Sequence, residues 1–97
     1  MNKNNHFIVA VFEIVNQIPI GKVMTYGDIA HCIGYPKKAR MVGAILSKAS
    51  LYGDYPCHRV VNFKGRLVPG WDKQRELLIQ EGIEFNGEFV DMKKYRL

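Results

Sequence analysis

The sequence predicts a mainly α fold with small β hairpins, arranged as a winged helix-turn-helix-like domain. Three observations carry that expectation. Apolar residues recur at helical spacing near the start of the chain, two short helical segments flank a glycine-centred turn, and two later stretches read as strand, tight turn, strand. At 97 residues the chain can bury one modest core, so a single domain over residues 1–97 is expected.

Phe7, Ile8, Val11, Phe12, Ile14, Val15 and Ile18 share one helical face, which predicts an amphipathic helix over residues 5–17, ended by Pro19 and Gly21. Thr25 is placed to cap a short helix whose inward positions are Ile29, Ala30 and Ile33; Gly34 stops it and Tyr35-Pro36 opens a new segment. A further helix is expected over residues 37–48, with Ala39, Val42, Gly43, Ile45 and Leu46 available for packing. Together the two form a helix-turn-helix candidate. Lys37, Lys38, Arg40 and Lys48 cluster on its second helix, while Gly43 and Ala44 keep part of its surface thin. A thin, basic helix can approach a duplex closely; the alternative is a solvated outer face.

Residues 60–67 read as strand, turn and strand with Lys64-Gly65 near the tip, a basic hairpin resembling a wing. Residues 72–80 predict a last helix, capped by Asp72 and stopped by Gly82, with Leu77, Leu78 and Trp71 facing inward. In residues 83–90, Asn86-Gly87 suits a two-residue type I′ hairpin turn. Lys93-Lys94-Tyr95-Arg96 reads as a solvated basic tail.

Hydrophobic residues make up 47% and charged residues 24%, which places the chain among soluble globular proteins. A net charge of +5 points to a polyanionic partner, nucleic acid first and an acidic membrane surface second. Two cysteines form no paired framework of the kind that staples secreted domains. The apolar stretch after the N-terminus is interrupted by Glu13 and Asn16, so neither a signal peptide nor a membrane span is expected, and the cytoplasm is the default compartment.

The run Pro56-Cys57-His58-Arg59-Val60 sets a cysteine beside a histidine and an arginine. Such a neighbourhood can make a thiolate, which is a soft nucleophile suited to alkyl carbon. Taken alone, a lone cysteine is more often a small buried hydrophobe. His31 and Cys32 are adjacent but have no CxxC or histidine-rich partner, so they read as structural and no metal site is expected.

Four segments follow one another in a recognisable order: Thr25-Tyr26-Gly27-Asp28-Ile29-Ala30, then Ala39-Arg40-Met41-Val42-Gly43, then Pro56-Cys57-His58-Arg59-Val60-Val61, then Leu77-Leu78 with Glu81-Gly82. The order resembles the O6-alkylguanine-DNA alkyltransferases, the methylated-DNA–protein-cysteine methyltransferases, over about residues 7–83. The resemblance implies their DNA-binding and active-site domain, with no cofactor. It implies that Cys57 accepts the alkyl group from O6 of guanine, that His58 removes the thiol proton through a water, and that Glu81 orients His58. This is the triad logic of nucleophile, base and orienter. It further implies that Arg40 fills the gap left by an extruded guanine and that Tyr26 turns the 3′ phosphate. Extrusion is needed because the alkyl group cannot be attacked inside the stack. The recognition helix is implied to lie in the minor groove, which fits small Gly43 and Ala44 on its surface, and the charge of Lys37 and Lys38 places them as further DNA contacts. Arg59 is read as holding the active-site loop. Pro56 with Val68, Pro69 and Trp71 would form the alkyl pocket and its lid.

The chain also departs from that family's pattern. The additional N-terminal domain of full alkyltransferases is not expected here. Family members carry an Asn-Pro segment before the Pro-Cys pair, whereas residues 48–55 contain no asparagine. The lid is shortened to Val68-Pro69-Gly70-Trp71, which suggests a more open pocket that tolerates bulky adducts. Small size and a short lid are similar to the alkyltransferase-like proteins, which bind O6-alkylguanine without repairing it and recruit excision repair. Two functions are therefore expected: irreversible alkyl transfer to Cys57, or non-catalytic lesion binding that flags damage for excision-repair proteins. In both, the partner is double-stranded DNA containing O6-alkylguanine.

Overall fold

The computed structural model describes residues 3–97. Its first helix, α1 (Lys3–Asn16), turns one apolar stripe inward, with Val11 and Val15 fully buried. Ile18 follows it into the core, and the chain turns at Gly21 into the two-residue strand β1 (Met24–Thr25).

Helix α2 (Tyr26–Ile33) starts at Thr25 with a complete capping box: the Thr25 hydroxyl accepts the Asp28 N–H at 2.9 Å, and the Asp28 carboxylate accepts the Thr25 N–H at 3.1 Å. Gly34 ends it in the left-handed conformation that the sequence expects, at φ 95°. The next helix, α3 (Ala39–Leu46), is shorter than the expected 37–48. Tyr35-Pro36 leads into a turn closed by Lys38 N–H on the Tyr35 carbonyl, so Lys37 and Lys38 stand before the helix. Lys48 lies beyond its end, where a short 3-10 turn (Ala49–Leu51) begins.

A second 3-10 turn, Cys57–Arg59, leads into β2 (Val60–Val61). The expected hairpin over 60–67 is only partly formed. Its turn exists, since Gly65 N–H bonds the Asn62 carbonyl and the Asn62 side chain accepts the N–H groups of Lys64 and Arg66. The flanking strands pair elsewhere, however. β2 runs parallel to β1, with Met24 opposite Val60, and Arg66 bridges to Phe89. Two buried valines in succession satisfy an interior parallel pair better than an exposed wing.

Helix α4 (Lys73–Gln80) follows without the expected Asp72 cap: Asp72 already has helical angles and its side chain makes no cap bond. Leu78 is fully buried, while Leu77 and Trp71 are only partly covered. Strands β3 (Phe85–Asn86) and β4 (Phe89–Val90) pair antiparallel with Asn86 opposite Phe89. The turn residues are thus Gly87 and Glu88, one step later than the type I′ assignment to Asn86-Gly87. Gly87 has φ 63° and, among the described residues, no non-glycine residue has positive φ, the pattern of a type II′ turn.

The basic tail is not loose. It forms α5 (Met92–Tyr95), after which Leu97 N–H bonds the Val23 carbonyl at 2.8 Å and Arg96 pairs with Asp28 at 2.6 Å. Backbone partners offered by Val23 outcompete solvation of the tail.

Two apolar clusters meet at the β1–β2 pair. Met24 and Val60 join α1, α2 and α3 through Val11, Ile29 and Val42; Val23 and Val61 face Leu78, Ile83 and Val90. Alternation along a strand sends successive residues to opposite sides. The 3-10 turn bearing Cys57 therefore enters at the seam between both clusters.

Candidate functional site

The turn at the seam faces a cavity of about 460 Å³, within the range of small-ligand pockets. Cys57, Val60, Tyr26 and Gly43 line its inner side; Val68 and Trp71 come from the short lid; and the end of α3 with Ala49, Ser50, Gly53, Asp54 and Tyr55 closes the remainder. Pro56 and Pro69 are not among its lining residues. Pro56 instead precedes the turn, and Pro69 is exposed.

Cys57 is half-buried, and loss of hydration pushes its thiol pKa up. The thiol is consequently protonated at neutral pH and needs a base before it can attack. The adjacent His58 is the candidate base. Its Nε2 lies 2.6 Å from Glu81 Oε2. Burial alone would raise the Glu81 pKa, but hydrogen bonds from Arg59, His58 and the Gly21 N–H prevail and bring it down to about 2. An ionised carboxylate can only accept, so Nε2 carries the proton toward Glu81 and leaves Nδ1 as the basic nitrogen of neutral His58. Among the described residues, no direct hydrogen bond joins the Cys57 thiol to His58.

Glu81 is itself over-determined. Arg59 Nε reaches both carboxylate oxygens at 3.0 and 3.1 Å, and another Arg59 nitrogen reaches Oε2 at 3.0 Å. The last guanidinium donor bonds the Ile18 carbonyl at 2.9 Å, and Gly21 N–H reaches Oε1 at 3.1 Å. The expected role of Arg59 as loop anchor fits this geometry. His58, Arg59 and Glu81, the last 22 positions from Arg59, lie within one connected network, and Cys57 adjoins it through the backbone.

Tyr26 opens α2 and lines the cavity beside Cys57. Burial, and then the neighbouring Cys57 charge, push its hydroxyl pKa up. Gly43 is where α3 meets that ring: a Cβ there would sit 3.8 Å from two ring atoms. Gly43 thus lines the cavity beside Tyr26. Lys37, Lys38, Arg40 and Ala44 are all exposed, Arg40 and Ala44 on α3 and the lysines on the turn before it. His31 and Cys32 are exposed on α2, and no metal-binding cluster is present among the described residues.

Three parts of the site escape a reading of residue types. Gln74, fully buried, donates from Nε2 to the carbonyls of His58 and Val60 and accepts the Val68 N–H at 2.7 Å. Tyr55 stacks on Phe12 at 4.5 Å, and its carbonyl accepts the Cys57 N–H at 2.7 Å. Gly53 has φ 141°, and a Cβ there would lie 3.2 Å from the Tyr55 ring. The residue types around them give little signal: Gln74 stands in a largely polar helix beside Lys73, Arg75 and Glu76, and Gly53 follows an aromatic.

Residues 6–83 match the family of the 6-O-methylguanine DNA methyltransferase DNA-binding domain. The fold is shared with solved members: a crystal structure of S. pombe Atl1 in complex with damaged DNA containing O6-carboxymethylguanine superposes with TM-score 0.86 at 31% identity, covering 100% of this chain and 98% of that one. A "DNA base-flipping protein" of Escherichia coli (strain K12) is 39% identical over 99% of this chain and 78% of its own length. A methylated-DNA–protein-cysteine methyltransferase of Methanosarcina acetivorans is 36% identical over 82% of this chain and 53% of its own length. The chain belongs to the O6-alkylguanine-DNA alkyltransferase family and represents its DNA-binding domain.

Proposed function

We propose that this protein flips O6-alkylguanine out of duplex DNA into the cavity beside Cys57 and transfers the alkyl group irreversibly to that thiol. The observation that carries the reading is the 2.6 Å bond between His58 and an ionised Glu81, set directly behind a cysteine on the cavity wall. A module that only bound lesions has no chemical need for a nucleophile, a base and an orienter together.

His58 Nδ1 takes the thiol proton through a water. The thiolate then forms a bond to the alkyl carbon as the C–O6 bond breaks; the electron pair of that bond leaves with guanine, which takes up the proton held by His58 through the water. The product thioether has no leaving route, so each protein acts once. Arg40 occupies the emptied place in the stack, Tyr26 turns the phosphate, and Lys37 and Lys38 contact the backbone near Ala44.

A second reading has its own support. Two relatives that align over most of both chains are named for base flipping or crystallised on damaged DNA, which favours a lesion-binding protein that hands damage to excision repair. Intact mass after incubation with an O6-methylguanine duplex separates the two. Gain of one methylene unit on Cys57, absent in Cys57→Ala, is the outcome expected for transfer. Lesion-selective binding with unchanged mass and unchanged DNA would leave the binding reading alone standing.

A further inference from the structure

We propose that Gln74 is a positioning residue that fixes the gap between the two walls of the cavity, and thereby the size of O6 substituent the protein prefers. The inference rests on the reading of this cavity as the alkyl pocket. Cys57 and Val60 belong to one wall, Val68 and Trp71 to the other. Gln74 lines neither. It stands behind both on α4, with no exposed surface.

Its amide holds the walls together. Nε2 donates to the His58 and Val60 carbonyls at 3.1 Å each, and Oε1 accepts the Val68 N–H at 2.7 Å. Two carbonyls and one N–H converging on one point require two donors and an acceptor, which a primary amide provides in one plane. The network also dictates which amide atom is oxygen. Among the described residues, no other side chain bonds both the turn of Cys57 and the lid segment. The His58 carbonyl is the more telling partner, since it fixes the backbone that carries the base. With a lid of only four residues, little else sets how far Val68 stands from Cys57.

This bond set fixes the spacing of the walls, so its loss affects the smallest substituent most. A methyl group depends on close walls for its contacts, whereas a large aromatic group fills a wider gap. The test uses the whole chain carrying Cys57→Ala, so that affinity is read without transfer, and three duplexes: undamaged, O6-methylguanine and O6-benzylguanine. Gln74→Met keeps length and removes all three bonds. It is expected to weaken the methylated duplex about tenfold while the benzylated and undamaged duplexes change by less than about twofold.

Gln74→Glu keeps the acceptor for Val68 but turns a carboxylate toward two carbonyls. Its preference for the methylated duplex should be lost at pH 8 and regained at pH 5, as protonation restores one donor, measured against the parent at each pH. A purely structural residue would change all three duplexes alike and show no such pH-dependent recovery. Equal weakening of all three, or an unchanged methyl-to-benzyl ratio in either folded variant, overturns the inference. A parent protein that fails to distinguish either lesion from undamaged DNA overturns the proposed function instead.

Discussion

The corner that holds Cys57 and the surface that carries Arg40 are built on opposite terms. Around Cys57 nearly every polar group has a partner: Glu81 receives hydrogen bonds from Arg59, His58 and Gly21, and Gln74 uses both of its donors. On α3 and the turn before it, Arg40, Lys37 and Lys38 are exposed and none forms an ion pair among the described residues. The difference teaches where the work of organisation is done. The chemical side is arranged before any ligand arrives, whereas the basic side is left to be completed by a polyanion.

Breaking the organised side should cost most. Glu81→Ala leaves the Arg59 guanidinium, only 14% exposed, without its carboxylate, and a loss of about 3 kcal/mol is expected in denaturant melts at pH 7. The sign with pH follows from the lowered pKa. A carboxyl at about 2 when folded and near 4.5 when free stabilises the fold fully above pH 4.5, and that contribution disappears as pH falls toward 2. The gap between parent and variant should therefore close across that window; a constant gap would show that Glu81 acts by packing alone.

A middle effect is expected at Gly53, whose backbone joins the two regions. Gly53→Ala places a Cβ at φ 141° and against the Tyr55 ring, which should cost about 1–2 kcal/mol and loosen the segment before Cys57. Thermal melting measures the first part, and the rate of Cys57 modification by a small alkylating reagent the second. At the open end, Arg40→Ala should leave stability within about 0.5 kcal/mol of the parent, while weakening an O6-methylguanine duplex about tenfold. Binding of the parent itself should fall steeply with salt. An Arg40→Ala protein that melts early would mean this surface is organised too, and would erase the contrast.

How much of this was legible in the residues depends on how local the signal is. The Thr25 cap, the Gly34 stop and the buried faces of α1 and α2 follow from neighbours within a few positions, and they stand where the sequence puts them. The segment order around Cys57 likewise led to His58, Arg59 and Glu81, which do meet in space. What failed was non-local. Residues 60–67 look like a hairpin until β1 claims Val60 and Val61, and the basic tail looks solvated until Val23 and Asp28 claim it. Gln74 was invisible because its three partners are main-chain groups of other segments, which no side-chain pattern records.

The bond from Gly21 to Glu81 spans 60 positions of chain, and Glu81 reaches back 23 to His58. A partly folded form in which α4 has swung away could keep α1, α2 and α3 assembled and still display Cys57. Its imidazole would have lost the carboxylate that fixes its tautomer. Under the proposed transfer to Cys57, acceptor activity would therefore depend on the chain having closed from Gly21 and His58 onto Glu81.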